Sequence, residues 1–94
     1  LKEKRVVILG DMLELGHNAK KYHQEIVELL IKHNIKLCFL VGQNYAMTKK
    51  RSSFIQTKSV KDCEKILKEK EIKNATILIK GSRKMKLEQL VSFL

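Results

Sequence analysis

Proline and tryptophan are absent from this sequence of 94 residues, and two tyrosines and three phenylalanines are its only aromatic residues. Without proline, nothing forces a helix or strand to break. No apolar run approaches the roughly 20 residues that span a bilayer. The charged start, Leu1–Lys4, leads directly into an apolar run and does not resemble a signal peptide. We therefore expect a single cytoplasmic domain with no membrane partner.

Cysteine occurs only at Cys38 and Cys63, which fall at apolar positions of a predicted strand and a predicted helix. Neither has a second ligand at a metal-binding spacing. We interpret both as reduced core residues, and we predict no metal site in this chain.

Acidic residues are scarce: 10 face 20 basic ones, and the net charge is +10. Such a charge is typical of nucleic-acid-binding proteins. Here, however, the lysines are spread over every predicted helix and loop and are mixed with glutamates. No aromatic pair lies among them to stack on bases. We interpret the charge as a solvated surface and expect no nucleic-acid partner.

Several catalytic patterns are missing as well. No Gly-x-Gly-x-x-Gly follows the first apolar run, and no Walker loop is present. The sequence also gives no indication of a catalytic Cys-His pair or a Ser-His-Asp triad. His17 and His23 are possible acid–base groups, but His23 lies on a predicted helix, where an exposed or packed histidine is ordinary. His33, near the predicted end of that helix, suits the negative end of the helix dipole. The chain therefore shows no nucleophile and no phosphate cradle of its own.

What the sequence does contain is a distinctive stretch from Arg5 to Gly16. Its apolar run, Val6–Leu9, is typical of a strand buried on both faces of a parallel sheet. Gly10 ends the run, and Asp11 follows at the carboxyl end of the strand. In open α/β sheets this edge is where ligands bind.

The remaining chain alternates strands and helices in the order β-α-β-α-β-α-β-α, which predicts parallel strands with right-handed crossovers. The expected sheet has its four strands in the order 3-2-1-4, with helices on both faces. The first helix has an apolar stripe of five residues, and the last helix has four residues expected to point inward. The predicted strands are Arg5–Leu9, Lys36–Val41, Phe54–Gln56 (at an edge) and Ala75–Lys80. The predicted helices are Asn18 or Ala19 to His33 (stripe Ala19, Tyr22, Ile26, Leu29, Leu30; N-cap Asn18; left-handed end Asn34), Gln43–Met47, Val60–Lys70 (capped by Ser59 with Asp62) and Met85–Phe93 (inward Leu87, Leu90, Val91, Leu94).

This strand order places strands one and four side by side at the switch point, where a crevice opens. Gly10 and Asp11 are then expected beside Lys80–Arg83, with Gln43 and Asn44 at the same edge. Asp11 would either accept a ligand hydroxyl, such as that of a ribose, or cap the turn that follows it.

The residues after strand four, on the basic side of this crevice, also have alternative roles. Lys80 ends a strand expected to be buried, so it would either pair with Asp11 or bind an anion. Ser82 would either cap the last helix or contact a ligand, and the guanidinium of Arg83 suits a bidentate anion.

Two sequence segments, called strings below, indicate more than the fold class. Val7–Gly16, which reads VILGDMLELG, is followed by Tyr22–Glu25, and Ile79–Glu88 reads IKGSRKMKLE. Their order and separation, with Leu40–Gly42 between them, resemble the C-terminal domain of the Mur ligase family. The resemblance covers nearly the whole chain. The LGDMLELG string is specific, whereas KGSR alone would be weak.

The resemblance implies a Rossmann-like domain of a bacterial, cytoplasmic, ATP-dependent ligase of peptidoglycan precursor synthesis. Within the family, the strings are most similar to the members that join D-Ala-D-Ala to UDP-N-acetylmuramoyl-tripeptide (UDP-MurNAc-tripeptide). In such enzymes MgATP phosphorylates the substrate carboxylate, and the dipeptide amine attacks the acyl phosphate. A central domain carries the phosphate loop and the Mg²⁺ site, and the C-terminal domain closes on it.

By the same resemblance, Asp11 would contact the nucleotide ribose. Lys80, Ser82 and Arg83 would face the dipeptide or the reacting centre, with Gln43 and Asn44 nearby. No catalytic residue is assigned to this chain.

The sequence departs from the family by starting at strand one, without the asparagine-rich segment and helix that open this domain. We therefore expect residues 1–94 to be one domain of a larger ligase, inactive alone. A stand-alone nucleotide- or anion-binding module and another Mur ligase are the alternatives.

Overall fold

A computed structural model describes residues 4–70, 72–73 and 75–93, with the side chains of residues 92 and 93 left aside. The four strands form one parallel sheet in the order β3-β2-β1-β4, so the predicted topology is confirmed. The strands are β1 (Lys4–Gly10), β2 (Leu37–Val41), β3 (Ile55–Thr57) and β4 (Ala75–Lys80). The helices are α1 (Ala19–Lys32), α2 (Gln43–Ala46) and α3 (Val60–Lys70), with 3-10 segments at Gly16–Asn18, Arg83–Met85 and Leu87–Phe93.

The side chains of β1 and β2 alternate between two apolar clusters, one on each face of the sheet. On one face Val6, Ile8, Phe39 and Val41 pack with residues of α3 and of the last 3-10 segment. On the other face Val7, Leu9, Cys38 and Leu40 pack with residues of α1 and α2. Each fully buried aliphatic side chain contributes roughly 1.5–3 kcal/mol. The two central strands are therefore the most stabilised part of the sheet.

Local signals fix several element ends as predicted. Asn34 is left-handed, with φ 59°, just after α1. The Ser59 hydroxyl accepts a hydrogen bond from the Asp62 amide at 3.2 Å at the start of α3. The predicted cap at Asn18 is wrong, because its side chain makes no capping hydrogen bond and its backbone is already helical within a 3-10 turn.

The predicted apolar stripe of α1 is partly wrong. Tyr22 and Leu29 are exposed to 37% and 50%, while His23 and Val27 are the buried residues of the helix. The buried face of α1 packs over β1 and β2, so the side of the helix nearest β4 is left open.

The prediction of β4 as a buried strand is also wrong. It lies at the edge of the described sheet, and its residues alternate between half-buried and exposed. Lys80 is exposed, and Leu78 is 52% exposed, on the face of β4 opposite its half-buried residues. Because Lys80 ends an edge strand and is exposed, its charge is solvated and needs no partner within the protein.

The last helix is not the regular α-helix that was predicted. Two 3-10 segments replace it, separated by Lys86 in the left-handed conformation. Leu87 and Leu90 are buried as predicted, but Val91 is 59% exposed, and Leu94 lies outside the described residues. No helix among the described residues is long and apolar enough to cross a membrane.

The two cysteines should resist modification in the folded chain. Both are free and fully buried, as predicted. Burial raises the pKa of Cys38 to about 12. Burial, followed by the nearby Glu64 charge, raises that of Cys63 to about 11. The reactive species is the thiolate, so at pH 8 neither thiol should react with Ellman's reagent until the chain unfolds.

A Ser53→Cys variant, exposed in a turn, is the control and should react at once under the same conditions. Equal labelling rates for native Cys38 and for the control thiol would contradict this prediction.

Candidate functional site

The carboxylate of Asp11 lies at the carboxyl edge of the sheet, between β1 and β2. Its Oδ2 accepts a hydrogen bond from the Asn44 amide at 2.9 Å, and its Oδ1 accepts one from the Tyr45 amide at 3.1 Å. Asp11 is 5% exposed. It caps the start of α2, where the first amides have no partner within the helix. The predicted cap is thus present, but on α2 and not on the turn after Asp11.

Gly42, the residue before α2, leaves the space that this carboxylate fills. Its φ of 118° and ψ of 169° lie in a region that only glycine adopts readily. A Cβ at this position would collide with the carboxylate, 2.6 Å from Oδ1. The Gly42 amide also donates to the Thr57 carbonyl at 2.9 Å, which joins the loop to β3. Asp11 and Gly42, which are 31 positions apart in the sequence, are therefore in direct contact.

On the other side of β1, the segment after β4 lies against the segment after β1, as the strand order predicts. The Ser82 amide donates to the Asp11 carbonyl at 3.2 Å. A Cβ at Gly81 would lie 3.1 Å from the Gly10 Cα and 2.6 Å from Leu87 Cδ1. The paired glycines allow the two backbones to approach closely and Leu87 to cover them.

The Ser82 hydroxyl accepts a hydrogen bond from the Leu13 amide at 2.6 Å. The prediction of Ser82 as a helix cap is wrong, because its side chain makes no capping bond to the short 3-10 segment that follows. The hydroxyl instead fixes the loop after β1. Its own proton remains able to donate a further hydrogen bond.

Lys80 and Arg83 flank this contact, and both are exposed. The alternative in which Lys80 pairs with Asp11 is wrong: among the described residues no ion pair joins them. The ion pair at this edge is Lys84 with Glu14, at 3.1 Å. It is exposed at both ends, so it stabilises the loop little.

Gln43 and Asn44 reach the same edge in different ways. Asn44 participates through its backbone amide, which donates to Asp11, and its side chain is half-buried. The side chain of Gln43, at the start of α2, is exposed.

His23, which the sequence suggested only as a possible acid–base group or an ordinary helix residue, contacts the loop after β1. It is fully buried, and its Nε2 accepts a hydrogen bond from the Met12 amide at 3.0 Å. Its ring packs edge-on against Tyr45, with 4.6 Å between the centroids. The four-residue spacing of Ala19, His23 and Val27 places this side chain on the buried face of α1. The predicted apolar stripe did not include His23 or Val27, although this spacing could have indicated their burial. His17 and His33 are exposed.

Burial, with smaller contributions from the charges of Tyr22, Cys38 and Asp11, raises the pKa of Tyr45 and keeps its phenol neutral. Within the described ranges, no group of three or more His, Cys, Asp or Glu side chains is placed to hold a metal ion.

Beside the loops lies an apolar cleft between α1 and the bare face of β4, with a volume of about 320 Å³. Leu78, Leu29 and Tyr22 line it, with Met12 and Lys80 at the end nearest the loops. Three large apolar side chains are therefore in contact with solvent in one place.

Curated relatives match almost the whole chain. It is 34% identical over 93 residues to the UDP-N-acetylmuramoyl-tripeptide–D-alanyl-D-alanine ligase of Buchnera aphidicola subsp. Acyrthosiphon pisum (strain APS), covering 93% of the chain and 20% of that protein. It is 35% identical over 97 residues to the ligase of the same name from Bacillus subtilis (strain 168), covering 94% of the chain and 21% of that protein. The chain thus spans about one fifth of their length. No family model matches it.

Solved structures share the fold. The MurF ligase from Thermotoga maritima in complex with ADP superimposes with a TM-score of 0.75 at 21% identity, covering 98% of this chain and 22% of that one. A structure of MurF from Acinetobacter baumannii gives a TM-score of 0.79 at 19% identity, covering 98% and 21%. These similarities confirm the predicted fold class and the resemblance to the Mur ligases.

Replacing Gly42 by alanine should be far more costly than the same change at Gly16. Both glycines have positive φ, but a Cβ at Gly16 meets nothing within 4 Å. We expect Gly16→Ala to lower the free energy of unfolding by about 1 kcal/mol. Gly42→Ala should lower it by about 3 kcal/mol or more, since strain and a displaced carboxylate add. Urea denaturation measures both, and equal losses would show that the Asp11 carboxylate does not occupy this space.

Proposed function

We propose that this chain, a homologue of one part of the Mur ligases, is the C-terminal domain of an ATP-dependent ligase that joins D-Ala-D-Ala to UDP-MurNAc-tripeptide. One observation carries the proposal. The two strings most similar to the family, around Asp11 and around Lys80–Arg83, are 69 residues apart at Leu13 and Ser82 and yet are hydrogen-bonded to each other. They meet at the carboxyl edge of a parallel sheet, where α/β enzymes bind ligands.

In the proposed reaction, the terminal carboxylate of the tripeptide is phosphorylated by MgATP. The amine of D-Ala-D-Ala then attacks the acyl carbon, phosphate leaves, and an amide forms. The phosphate loop and the Mg²⁺ ligands belong to the central domain of the full ligase. The role of this chain is to bind and orient, because its described residues supply neither group.

Lys80 and Arg83 are suited to the anionic side of this chemistry. Both are exposed beside the fixed loop. The carboxylate of the incoming dipeptide matches the planar fork of the Arg83 guanidinium, and Lys80 adds a second positive charge. The free Ser82 proton can donate to the same ligand. Gln43 and Asn44 bring amide groups to the other side of the crevice.

Asp11 is proposed as the contact to the nucleotide ribose. Each of its oxygens accepts one backbone amide and retains a second lone pair, so a ribose hydroxyl can donate without displacing α2. Its deep position means that the structural and ligand roles are combined in one carboxylate. ADP is the ligand of the solved relative from Thermotoga maritima.

The bare face of β4 supports the proposal that this is one domain of a larger protein. Parallel sheets are normally covered on both faces. Here the cleft with Leu78, Leu29 and Tyr22 remains uncovered by the described chain. Further polypeptide of the ligase would bury it.

The chain alone should be inactive, whereas the full ligase should depend on Arg83. With MgATP, UDP-MurNAc-tripeptide and D-Ala-D-Ala, we expect no product from the 94-residue chain. In the full ligase, Arg83→Ala should raise the KM for D-Ala-D-Ala by about tenfold or more through loss of a charge-assisted hydrogen bond. The KM for ATP should stay unchanged.

An exposed lysine of α3, changed in Lys65→Ala, is the control and should leave both constants as they are. Turnover by the isolated chain, or ADP binding by it together with an unchanged dipeptide KM in Arg83→Ala, would favour the stand-alone module instead.

Making the cleft polar should scarcely affect the isolated chain. Because Leu78 is already 52% exposed, Leu78→Lys should change the free energy of unfolding by less than about 1 kcal/mol. Leu40→Ala, at a fully buried position of β2, should lower it by about 2–5 kcal/mol. Chemical denaturation of the two variants compares them, and a large loss in Leu78→Lys would show that the chain closes its own cleft.

A further inference from the structure

Three consecutive backbone amides after β1 donate to three separate parts of the fold. The Asp11 amide donates to the Val41 carbonyl at 3.0 Å, which ties the loop to β2. The Leu13 amide donates to the Ser82 hydroxyl at 2.6 Å, beyond β4. Between them, the Met12 amide donates to Nε2 of His23 at 3.0 Å, on α1. The loop is therefore fixed from three directions.

The hydrogen bonds of His23 define its protonation. A backbone amide can only donate, so Nε2 must carry a lone pair. The proton is then on Nδ1, which lies within hydrogen-bond distance of the Ala19 carbonyl one turn earlier in α1. Both ring nitrogens are thus satisfied by backbone groups, which hold the imidazole in one orientation.

Packing alone does not require a histidine here. The ring is fully buried and lies edge-on to Tyr45 and to Tyr22, with centroid distances of 4.6 and 5.3 Å. A leucine would fill a similar volume. What a leucine cannot do is accept the Met12 amide, which would then be left without a partner in a partly buried position.

We propose that His23 is a positioning residue of the ligand site: by accepting the Met12 amide it fixes the segment Asp11–Leu13 against the segment after β4. This rests on the proposed function, because the ligand affected is the one that the segment would contact. If Met12 is released, Asp11 on one side and the Leu13–Ser82 contact on the other lose their common anchor. Nucleotide affinity should then fall while the sheet stays folded.

Two variants of His23 separate acceptor from packing. In His23→Gln, the side-chain oxygen is as many bonds from Cα as Nε2 is, so it can accept the Met12 amide. His23→Leu keeps an apolar side chain of similar size without an acceptor. The measurements are amide hydrogen exchange of Met12 and Leu13 by NMR and the Kd for ADP by calorimetry, both on the 94-residue chain, with circular dichroism as the check of folding.

In His23→Leu, Met12 should exchange about tenfold faster and ADP should bind about five- to tenfold more weakly, as the loss of one neutral hydrogen bond predicts. In His23→Gln, both values should stay within about threefold of the original chain. Unchanged Met12 exchange in a folded His23→Leu chain would overturn the proposal. So would a folded His23→Gln chain that loses protection and affinity, and this second variant decides if His23→Leu does not fold.

The two proposals fail in different ways. If the original chain binds no ADP, the nucleotide also needs the central domain, and Met12 exchange alone decides the role of His23. The proposed function is tested separately, by Arg83→Ala in the full ligase. If ADP binds equally well to all three chains while Met12 is released in His23→Leu, the role of His23 in the ligand site is overturned and the proposed function stands.

Discussion

The buried carboxylate of Asp11, bonded to the first amides of α2, is the interaction on which the edge of this domain depends. A carboxylate at 5% exposure needs good partners, because burial otherwise disfavours its charge. The Asn44 and Tyr45 amides supply two charge-assisted hydrogen bonds, and Gly42 supplies the space. One residue after β1 thereby fixes the start of α2, the segment that follows β2.

Asp11 also connects β1 to the segment after β4. The backbone of Asp11 accepts the Ser82 amide while its side chain faces α2, so a single residue connects both flanks of β1. His23, on α1, accepts the Met12 amide and so contacts the same loop from the helix layer. These contacts leave Lys80 and Arg83 exposed around a fixed framework. A site that positions charged groups for a ligand needs this combination of a rigid base and free cations.

Much of the fold was predictable because it depends on local patterns. Apolar runs ended by glycine predicted β1, β2 and β4. Asn34 marked the end of α1 by its left-handed backbone, and Ser59 marked the start of α3 by its side-chain hydrogen bond. The errors lie where a neighbour decides the outcome. Leu78 belongs to an apolar strand in the sequence, yet it is exposed because no described element covers that face of β4. The final segment is 3-10 and not α-helical, and its Leu87 packs against Gly10 and Gly81 at the ends of β1 and β4.

For the candidate site, the sequence by itself determined which segments share one edge of the sheet: Asp11 at the end of a buried strand and Lys80–Arg83 after the neighbouring strand, as follows from the strand order. Only the tertiary structure decided which hydrogen bonds each group makes there. A side chain's partners are set by distance in space, so the α2 amides rather than the next turn received the Asp11 carboxylate. A backbone amide 11 residues away is the hydrogen-bond donor to His23. Such partners carry no periodic signal, because a single hydrogen bond fixes one position of the chain and not a pattern.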